Sequence, residues 1–285
     1  MRAANERVRV AFQGERGAFS EEAAIKLLGE EIELVPRPTF EALFTSIDEG
    51  ASDYILAPIE NSLAGSVHRT YDLLLERTLH IIAETIIPIA HHLIGCPQAS
   101  FDDVRVVESH PVALAQCERF FAAHPHIKRV VAEDTAGSVR RVIERGDPAY
   151  AAIAGERAAR VYGGRILREH LEDHHENYTR FVLLSSEPRV VADGDKLSLV
   201  VRLKHRPGAL YYALEPFARR AINLLKIESR PVAGQPWQYR FYLDLQAKMG
   251  DPELDAALAQ LRERADEVRF LGCYRSAQRT EKERF

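Results

Sequence analysis

Cysteine and tryptophan are scarce in this chain, and neither sign of charge dominates it. The three cysteines, Cys96, Cys117 and Cys273, lie far apart and form no C-x-x-C pair. This spacing predicts buried free thiols in a reducing compartment, and it argues against disulfides or a zinc site. Lys and Arg number 38 against 42 Asp and Glu, so the net charge of −4 offers no basic field for nucleic acid.

Long hydrophobic runs are also missing. The most apolar window, residues 80–96, is interrupted by Glu84, Pro88 and histidines, which makes it too short and too polar to span a bilayer. The polar residues before the first predicted strand do not resemble a signal peptide, and no Ser- and Arg-rich leader of the plastid type precedes them. We therefore expect a cytoplasmic protein with no membrane partner.

Strand-like and helix-like segments alternate over the first two-thirds of the chain. Helix starts are predicted at Ser20, Thr39 and Ser109, the last just ahead of Pro111, and another helical pattern follows the Asn61-Ser62 pair. Such alternation predicts parallel sheets with helices on both faces. The number of units predicts two α/β lobes around a cleft, with residues 80–96 passing between the lobes.

A different pattern follows the stretch "SSEPRVVADGDK", whose Pro, Gly and charged residues are typical of a linker. The order of elements there is β-α-β-β-α-β, which is the ferredoxin-like arrangement. We expect a two-lobed domain at 1–188, a linker at 189–195, a ferredoxin-like domain at 196–275 and a frayed tail at 276–285.

Small polar side chains follow the predicted strands of the first domain. They occur in "GERGAFS" (14–20), "IENS" (59–62), "ESHP" (108–111) and "EDTAGS" (133–138). Ligands of open α/β sheets bind beyond the carboxyl ends of the strands, where helix N-termini also attract anions. A small anionic ligand is one interpretation of these residues; the other is that each Ser or Thr only caps a helix.

Motifs for other chemistries are absent or weak. "GERGAF" is not the G-x-G-x-x-G of dinucleotide sites, and no P-loop sequence occurs. His170 and His174 are spaced to hint at a metal, but without a third ligand a solvated polar loop is the better interpretation. We expect neither a metal nor a cofactor.

Six motifs together resemble the prephenate dehydratase family and its close relatives, the arogenate dehydratases. They run in order through most of the chain as "VAFQGERGAFSEEAA", "PIENSLAGSVHRTYDLLL", "SHPVALAQCE", "EDTAGS", "NYTRF" and "KIESRP". The resemblance implies a two-lobed, doubly wound α/β catalytic domain like that of periplasmic binding proteins, followed by a ferredoxin-like ACT regulatory domain. The family removes carbon dioxide and the 4-hydroxyl from a cyclohexadienyl dicarboxylate to give phenylpyruvate, a reaction driven by aromatisation.

The resemblance also implies site residues. Thr179 of "TRF" is the expected catalytic residue, as a hydrogen-bond donor to the departing hydroxyl. Arg180 is expected either to bind a carboxylate or to form a structural ion pair, and Phe181 to pack in the core or line the cleft. The substrate-binding residues implied are Phe19, Ser20, Asn61, Ser62, Ser109, Thr135, Arg180 and Phe181.

In the ACT domain the resemblance implies a site for L-phenylalanine as a feedback effector. Its expected residues are Gly208, Ala209, Leu210, Asn223, Glu228 and Ser229. The site would be shared between subunits, so we expect a homodimer or homotetramer. From the residues alone, "PGAL" could merely start a helix.

The substrate is left open between prephenate and arogenate. Many bacterial members have Thr where this chain has Ala18, whereas the arogenate-using relatives often have Ala. The missing plastid leader favours prephenate modestly. A sensor without chemistry is the alternative of another class, and the intact "TRF" argues against it.

Overall fold

The computed structural model describes residues 7–189, 191–232 and 234–277. The chain divides into two compact units, formed by the described parts of Met1–Val67 with Ile86–Phe181 and of His68–Thr85 with Val182–Phe285. The predicted boundary near residue 188 stays a prediction. Most of the predicted tail, from 278 onward, lies outside the described residues.

The elements alternate much as the sequence predicts. The strands are β1 (Val8–Gln13), β2 (Ile32–Arg37), β3 (Tyr54–Asn61), β4 (Gly65–Ser66), β5 (His80–Pro88), β6 (His92–Gly95), β7 (Val106–Ser109), β8 (Lys128–Val131), β9 (Tyr150–Ala154), β10 (Arg165–Arg168), β11 (Tyr178–Ser185), β12 (Lys196–Leu203), β13 (Leu224–Val232), β14 (Gln235–Gln246) and β15 (Ala265–Tyr274). The helices are α1 (Phe19–Leu28), α2 (Phe40–Asp48), α3 (His68–Glu76), α4 (Pro111–Ala115), α5 (Glu118–Ala123), α6 (Thr135–Arg145), α7 (Glu156–Tyr162), α8 (Ala209–Ala218) and α9 (Pro252–Arg264), with a short 3-10 turn at Phe101–Asp103.

Two sheets form the α/β part of the chain. The first has the strand order β2-β1-β3-β11-β5, with the short β4 paired to β3. The second has the order β10-β6-β9-β7-β8. In both sheets some neighbours are parallel, as predicted, but β6 runs antiparallel to both β9 and β10. The prediction of purely parallel sheets is therefore wrong at this edge, because the segment that crosses from β5 enters the second sheet directly as a strand instead of through a helix.

Three of the predicted helix starts need correction. Helix α1 begins after Ala18, which makes no side-chain cap, and Ser20 lies inside the first turn. Helix α4 is capped by the Nδ1 atom of His110, which accepts the N–H of Val112, instead of by Ser109. The residues after Asn61 form a hairpin with β4 before α3 begins at His68. Thr39 is confirmed as the cap of α2, since its hydroxyl accepts the N–H of Ala42.

One apolar cluster ties the two sheets of the first unit together. It joins Phe12 of β1 and Ala18 to Ile94 of β6 and to residues of α6, β9 and α7. Gly17, with φ at +84°, makes the approach possible, because a Cβ there would lie 2.8 Å from the Cα atom of Ala158. The chain before α1 is thus held against α7 of the second sheet.

The second unit has the predicted β-α-β-β-α-β order, and its sheet runs β13-β14-β12-β15. Helices α8 and α9 cover one face through a cluster that includes Phe217, Leu254 and Leu258. Helix α3 also belongs to this unit, where the ring of Tyr71 packs edge-on against Tyr242 and its carbonyl accepts the Tyr242 hydroxyl at 2.6 Å.

Three features of the described residues bear on the expectations about disulfides, metal sites and membrane spans. All three cysteines are free and buried there. No cluster of His, Cys, Asp or Glu in that part of the chain is arranged to hold a metal ion. Of the helices given above, none is long and apolar enough to cross a membrane.

Candidate active site

A cleft of about 430 Å³ lies in the first unit. Its walls include the end of β3 and Thr179 of β11, which belong to the first sheet. The starts of helices α1 and α6 also line it. Among the described lining residues there is no Lys or Arg. The groups of this lining that could hold an anionic ligand are backbone N–H groups, hydroxyls, amides and the imidazoles of His91 and His110, whereas the carboxylates of Glu133 and Asp134 would oppose it.

Asn61 and Thr179 form the centre of the polar wall. The Nδ2 atom of Asn61 lies 3.0 Å from the Thr179 hydroxyl oxygen, to which it donates. Both residues line the cleft, and Thr179 is only 9% exposed. Because the Thr179 oxygen already accepts a hydrogen bond, its own hydrogen can be donated to a ligand.

A chain of hydrogen bonds continues from this pair. Asn177, which is fully buried, accepts from Asn61 at 2.8 Å and donates to Oε1 of Gln116 at 3.0 Å. The same Gln116 oxygen lies 2.9 Å from Nε2 of His91. Gln116 and His91 line the cleft, so five linked side chains, counted from Thr179, connect β11, β3, the end of α4 and the crossing segment.

The loop before β11 supports this arrangement. Glu172 is buried, and its carboxylate accepts the backbone N–H of His91 at 2.7 Å while the other oxygen lies 3.1 Å from Nδ1 of His170. Burial alone would raise the pKa of Glu172, but these donors outweigh it and lower that pKa. Asp173 accepts the N–H groups of Glu118 and Arg119 at the start of α5. The polar loop at the start of "EDHHENYTRF" therefore holds the backbone at His91 and the start of α5 in place beside the cleft.

His91 predicts a specific loss of stability at low pH. Its pKa is lowered by burial, against the opposing effects of Gln116 and Glu172. An unfolded histidine gains a proton near a pH of about 6.5, so below that pH the unfolded state binds more protons than the folded one. We expect the free energy of unfolding to fall as the pH drops from about 7 to 5, by up to about 1.4 kcal/mol per pH unit for this group.

The test is the variant His91→Gln, because a glutamine side chain cannot take up a proton. The melting temperature of this variant should fall less over the same pH range than that of the natural chain. The other histidines with lowered pKa values, His80, His92 and His110, are common to both proteins and cancel in the comparison. Parallel declines of the two melting temperatures would contradict the role of His91.

Five of the predicted site residues meet in the cleft wall, and four do not. Those that line it are Phe19, Ser20, Asn61, Thr135 and Thr179. The four outside the lining residues are Ser62, Ser109, Arg180 and Phe181.

Each of these four has another environment. The Ser62 hydroxyl donates to the carbonyl of Glu176 and accepts the N–H of Tyr178, and the buried Ser109 hydroxyl donates to the carbonyl of Ile153 at 2.6 Å. Arg180 lies next to Thr179 in a strand, so it points to the opposite face. Its guanidinium lies 3.9 Å from Glu60, and Phe181 is a core residue.

Sequence reasoning missed Gln116, His91 and Asn177. Gln116 and Asn177 lie within two of the six motifs, "SHPVALAQCE" and "NYTRF", and His91 lies within the apolar window of residues 80–96. Gln116 is close to the end of a short helix and His91 lies in a crossing segment, so neither stands at a predicted strand end. Only their contacts in the folded chain bring them to the cleft.

The second unit contains a smaller pocket of about 250 Å³. Gly208, Ala209 and Leu210 line it, beside residues of β12 and β14. Asn223, Glu228 and Ser229 are not among its lining residues. Glu228 lies 3.4 Å from His68, and Ser229 is exposed on the edge strand β13.

A family model and a similar protein of known name indicate the same family. The family model described as prephenate dehydratase matches residues 10–189. A protein of Arabidopsis thaliana named "Arogenate dehydratase/prephenate dehydratase 1, chloroplastic" is 42% identical over 284 residues, which covers 94% of this chain and 72% of that protein.

Two solved structures are similar over nearly the whole chain. A prephenate dehydratase from Arthrobacter aurescens in complex with L-Phe has a TM-score of 0.86 at 32% identity, covering 95% of this chain and 90% of the other. GqqA, described as a novel type of quorum quenching acylase, has the same TM-score of 0.86 at 32% identity and covers 94% and 98%.

Proposed function

Because this chain belongs to the prephenate dehydratase family, we propose that it converts prephenate to phenylpyruvate and that Thr179 assists the loss of the hydroxyl group. The chain is a carbon–oxygen lyase of that family. The observation that carries the proposal is the Asn61–Thr179 hydrogen bond in the wall of the cleft.

The reaction needs no oxidant or reductant. The bond from the ring to its carboxylate breaks and releases carbon dioxide, and its electron pair moves through the ring to expel the 4-hydroxyl. Thr179 donates a hydrogen bond to the departing oxygen, where negative charge develops in the transition state. Asn61 donates to the Thr179 oxygen and so aims its hydrogen at the substrate.

The carboxylates are held at the start of α1 and α6. Helix α1 begins without a side-chain cap, so the N–H groups and positive dipole end at Phe19 and Ser20 are available to an anion. The Thr135 hydroxyl lies at the start of α6, across the cleft. The carboxylate of Asp134 already caps α6, so on that side the Thr135 hydroxyl, and not the helix end, is the proposed donor to a substrate carboxylate.

The test is to supply purified protein with prephenate and L-arogenate separately and to quantify phenylpyruvate and L-phenylalanine. We expect phenylpyruvate from prephenate. Turnover of arogenate alone would mean that arogenate, and not prephenate, is the substrate. The name of the Arabidopsis thaliana relative includes both activities. Failure to convert either compound would overturn the proposed function.

We also propose that L-phenylalanine binds the second unit, an ACT domain at 196–275, and lowers turnover. Support comes from the L-Phe complex of the Arthrobacter aurescens relative and from the pocket at Gly208, Ala209 and Leu210. Asn223, Glu228 and Ser229 would complete the site from a second copy, in a cytoplasmic homodimer or homotetramer.

Gly208→Ala should weaken inhibition by L-phenylalanine. Gly208 has φ at +78°, and a Cβ there would lie 2.9 Å from the Tyr212 ring, so the turn that lines the pocket must shift. We expect the half-inhibitory concentration to rise about tenfold or more, which corresponds to about 1.4 kcal/mol of binding. Turnover without effector serves as the internal control, and unchanged inhibition would remove Gly208 from the effector site.

A further inference from the structure

The hydrogen bonds of the cleft wall have a fixed direction that starts at the backbone. The Oδ1 atom of Asn61 accepts the N–H groups of Leu63 and Ala64 at 3.0 and 2.8 Å. A backbone N–H can only donate, so the carboxamide of Asn61 cannot be reversed without placing its NH2 group against two donors. The NH2 group of Asn61 must therefore face Asn177 and Thr179.

The orientation of the Asn61 carboxamide determines the orientations of the next two carboxamides, those of Asn177 and Gln116. Asn177 presents its oxygen to Asn61 at 2.8 Å, so its NH2 group faces Gln116 at 3.0 Å. Gln116 in turn must present Oε1 to Asn177. The same oxygen lies 2.9 Å from Nε2 of His91, so Nε2 has to carry a hydrogen.

His91 is thereby held as one neutral tautomer. With the hydrogen on Nε2, a neutral imidazole has none on Nδ1. Nδ1 is buried and has no hydrogen-bond partner in the described part of the chain. A second proton placed there would be desolvated without an acceptor.

We propose that Asn177 is a positioning residue, which transmits the orientation set by the backbone of residues 63 and 64 to Gln116 and His91. Since the Gln116 oxygen is used twice, its NH2 group is left for the substrate. The reverse orientation would turn a carboxamide oxygen toward a dianion. The catalytic consequence rests on the proposed function, whereas the tautomer of His91 does not.

The first experiment records long-range 1H–15N correlation spectra of the natural chain, with the His91 signals identified by their loss in His91→Gln. We expect a neutral ring with its hydrogen on Nε2 between about pH 6 and 8. A hydrogen on Nδ1, or an imidazolium at neutral pH, would overturn the proposal. This result stands or falls whether or not the protein turns over prephenate.

The second experiment repeats the spectra with Asn177→Asp. The ionised carboxylate of this variant cannot donate, so Gln116 must turn its NH2 group toward it, and Nε2 of His91 must become an acceptor with the hydrogen on Nδ1. When the carboxyl is protonated at lower pH, its O–H can donate to Gln116 and restore the natural tautomer. We expect a pH-dependent change of tautomer, with kcat reduced by about tenfold or more when the introduced carboxylate is ionised.

The matched control is Gln98→Glu, the same exchange of amide for carboxylate on the surface, where Gln98 donates to the carbonyl of Gly146. It should change neither the tautomer nor kcat. An Asn177→Asp protein with an ionised carboxylate and His91 still protonated on Nε2 would overturn the proposal. Should the Asn177→Asp substitution prevent folding, the spectrum of the natural chain decides alone. Inactivity of the natural chain toward both prephenate and arogenate would overturn the proposed function, but it would not affect the conclusion about the His91 tautomer.

Discussion

Thr179→Ala should lower kcat for prephenate by about 10²–10³-fold, the usual effect of removing one donor to a developing negative charge. The fold should persist, because the Asn61 NH2 group retains two other acceptors, Oδ1 of Asn177 and the carbonyl of Tyr178. The loss is expected mainly in kcat, since the hydrogen bond strengthens as the hydroxyl departs. Steady-state rates of phenylpyruvate formation measure it.

Two further substitutions separate the hydroxyl of Thr179 from its shape. Thr179→Val keeps the branched shape and replaces the hydroxyl with a methyl group, so its kcat should fall as far as that of the alanine variant. Thr179→Ser keeps the hydroxyl and should stay within about tenfold of the natural chain. Natural turnover in the valine variant, with a folded protein confirmed by circular dichroism, would remove Thr179 from the reaction.

Strand ends could be predicted from the sequence because their chemistry is local. Ser20 and Asn61 lie at the carboxyl ends of β1 and β3 in the first sheet, Thr135 follows β8 of the second sheet, and all three line the cleft. Gln116 and His91 could not be found this way, because their place in the wall depends on how α4 and the crossing segment fold against β11. The direction of the amide chain depends further on the N–H groups of residues 63 and 64, which no side-chain pattern reveals.

Two roles were expected for Arg180, a carboxylate contact or a structural ion pair. Successive residues of a strand point to opposite faces, and the guanidinium of Arg180 lies 3.9 Å from Glu60, so the geometry favours the ion pair. Ser109 differs, because its hydroxyl satisfies the carbonyl of Ile153 on the neighbouring strand β9, and that partner is known only from the fold. The antiparallel β6 and β10 were likewise hidden, since parallel and antiparallel neighbours share the same strand composition.

Glu21→Ala should cost the first unit about 3 kcal/mol of unfolding free energy, as expected when one member of a buried ion pair is removed. The Glu21 side chain is fully buried on α1, and one oxygen accepts from Arg157 of α7 at 2.7 and 2.9 Å. The other accepts the N–H of Gly17 at 2.9 Å and the Arg16 guanidinium at 3.1 Å. Removing the carboxylate leaves the N–H of Gly17 without this acceptor and takes from Arg157 its hydrogen-bonded partner.

Amide hydrogen exchange in α1 and α7 under rising denaturant measures this loss within the first unit. The fluorescence of Trp237 would report on the second unit, where that residue lies. Arg16→Ala is the matched control, because the Arg16 side chain is 53% exposed and its pair should contribute less than about 1 kcal/mol. Equal protection in the Glu21→Ala and Arg16→Ala proteins would show that the carboxylate is not what holds α1 to α7. Faster exchange confined to the alanine variant of Glu21 would instead identify the contact that keeps Phe19 and Ser20 at the cleft.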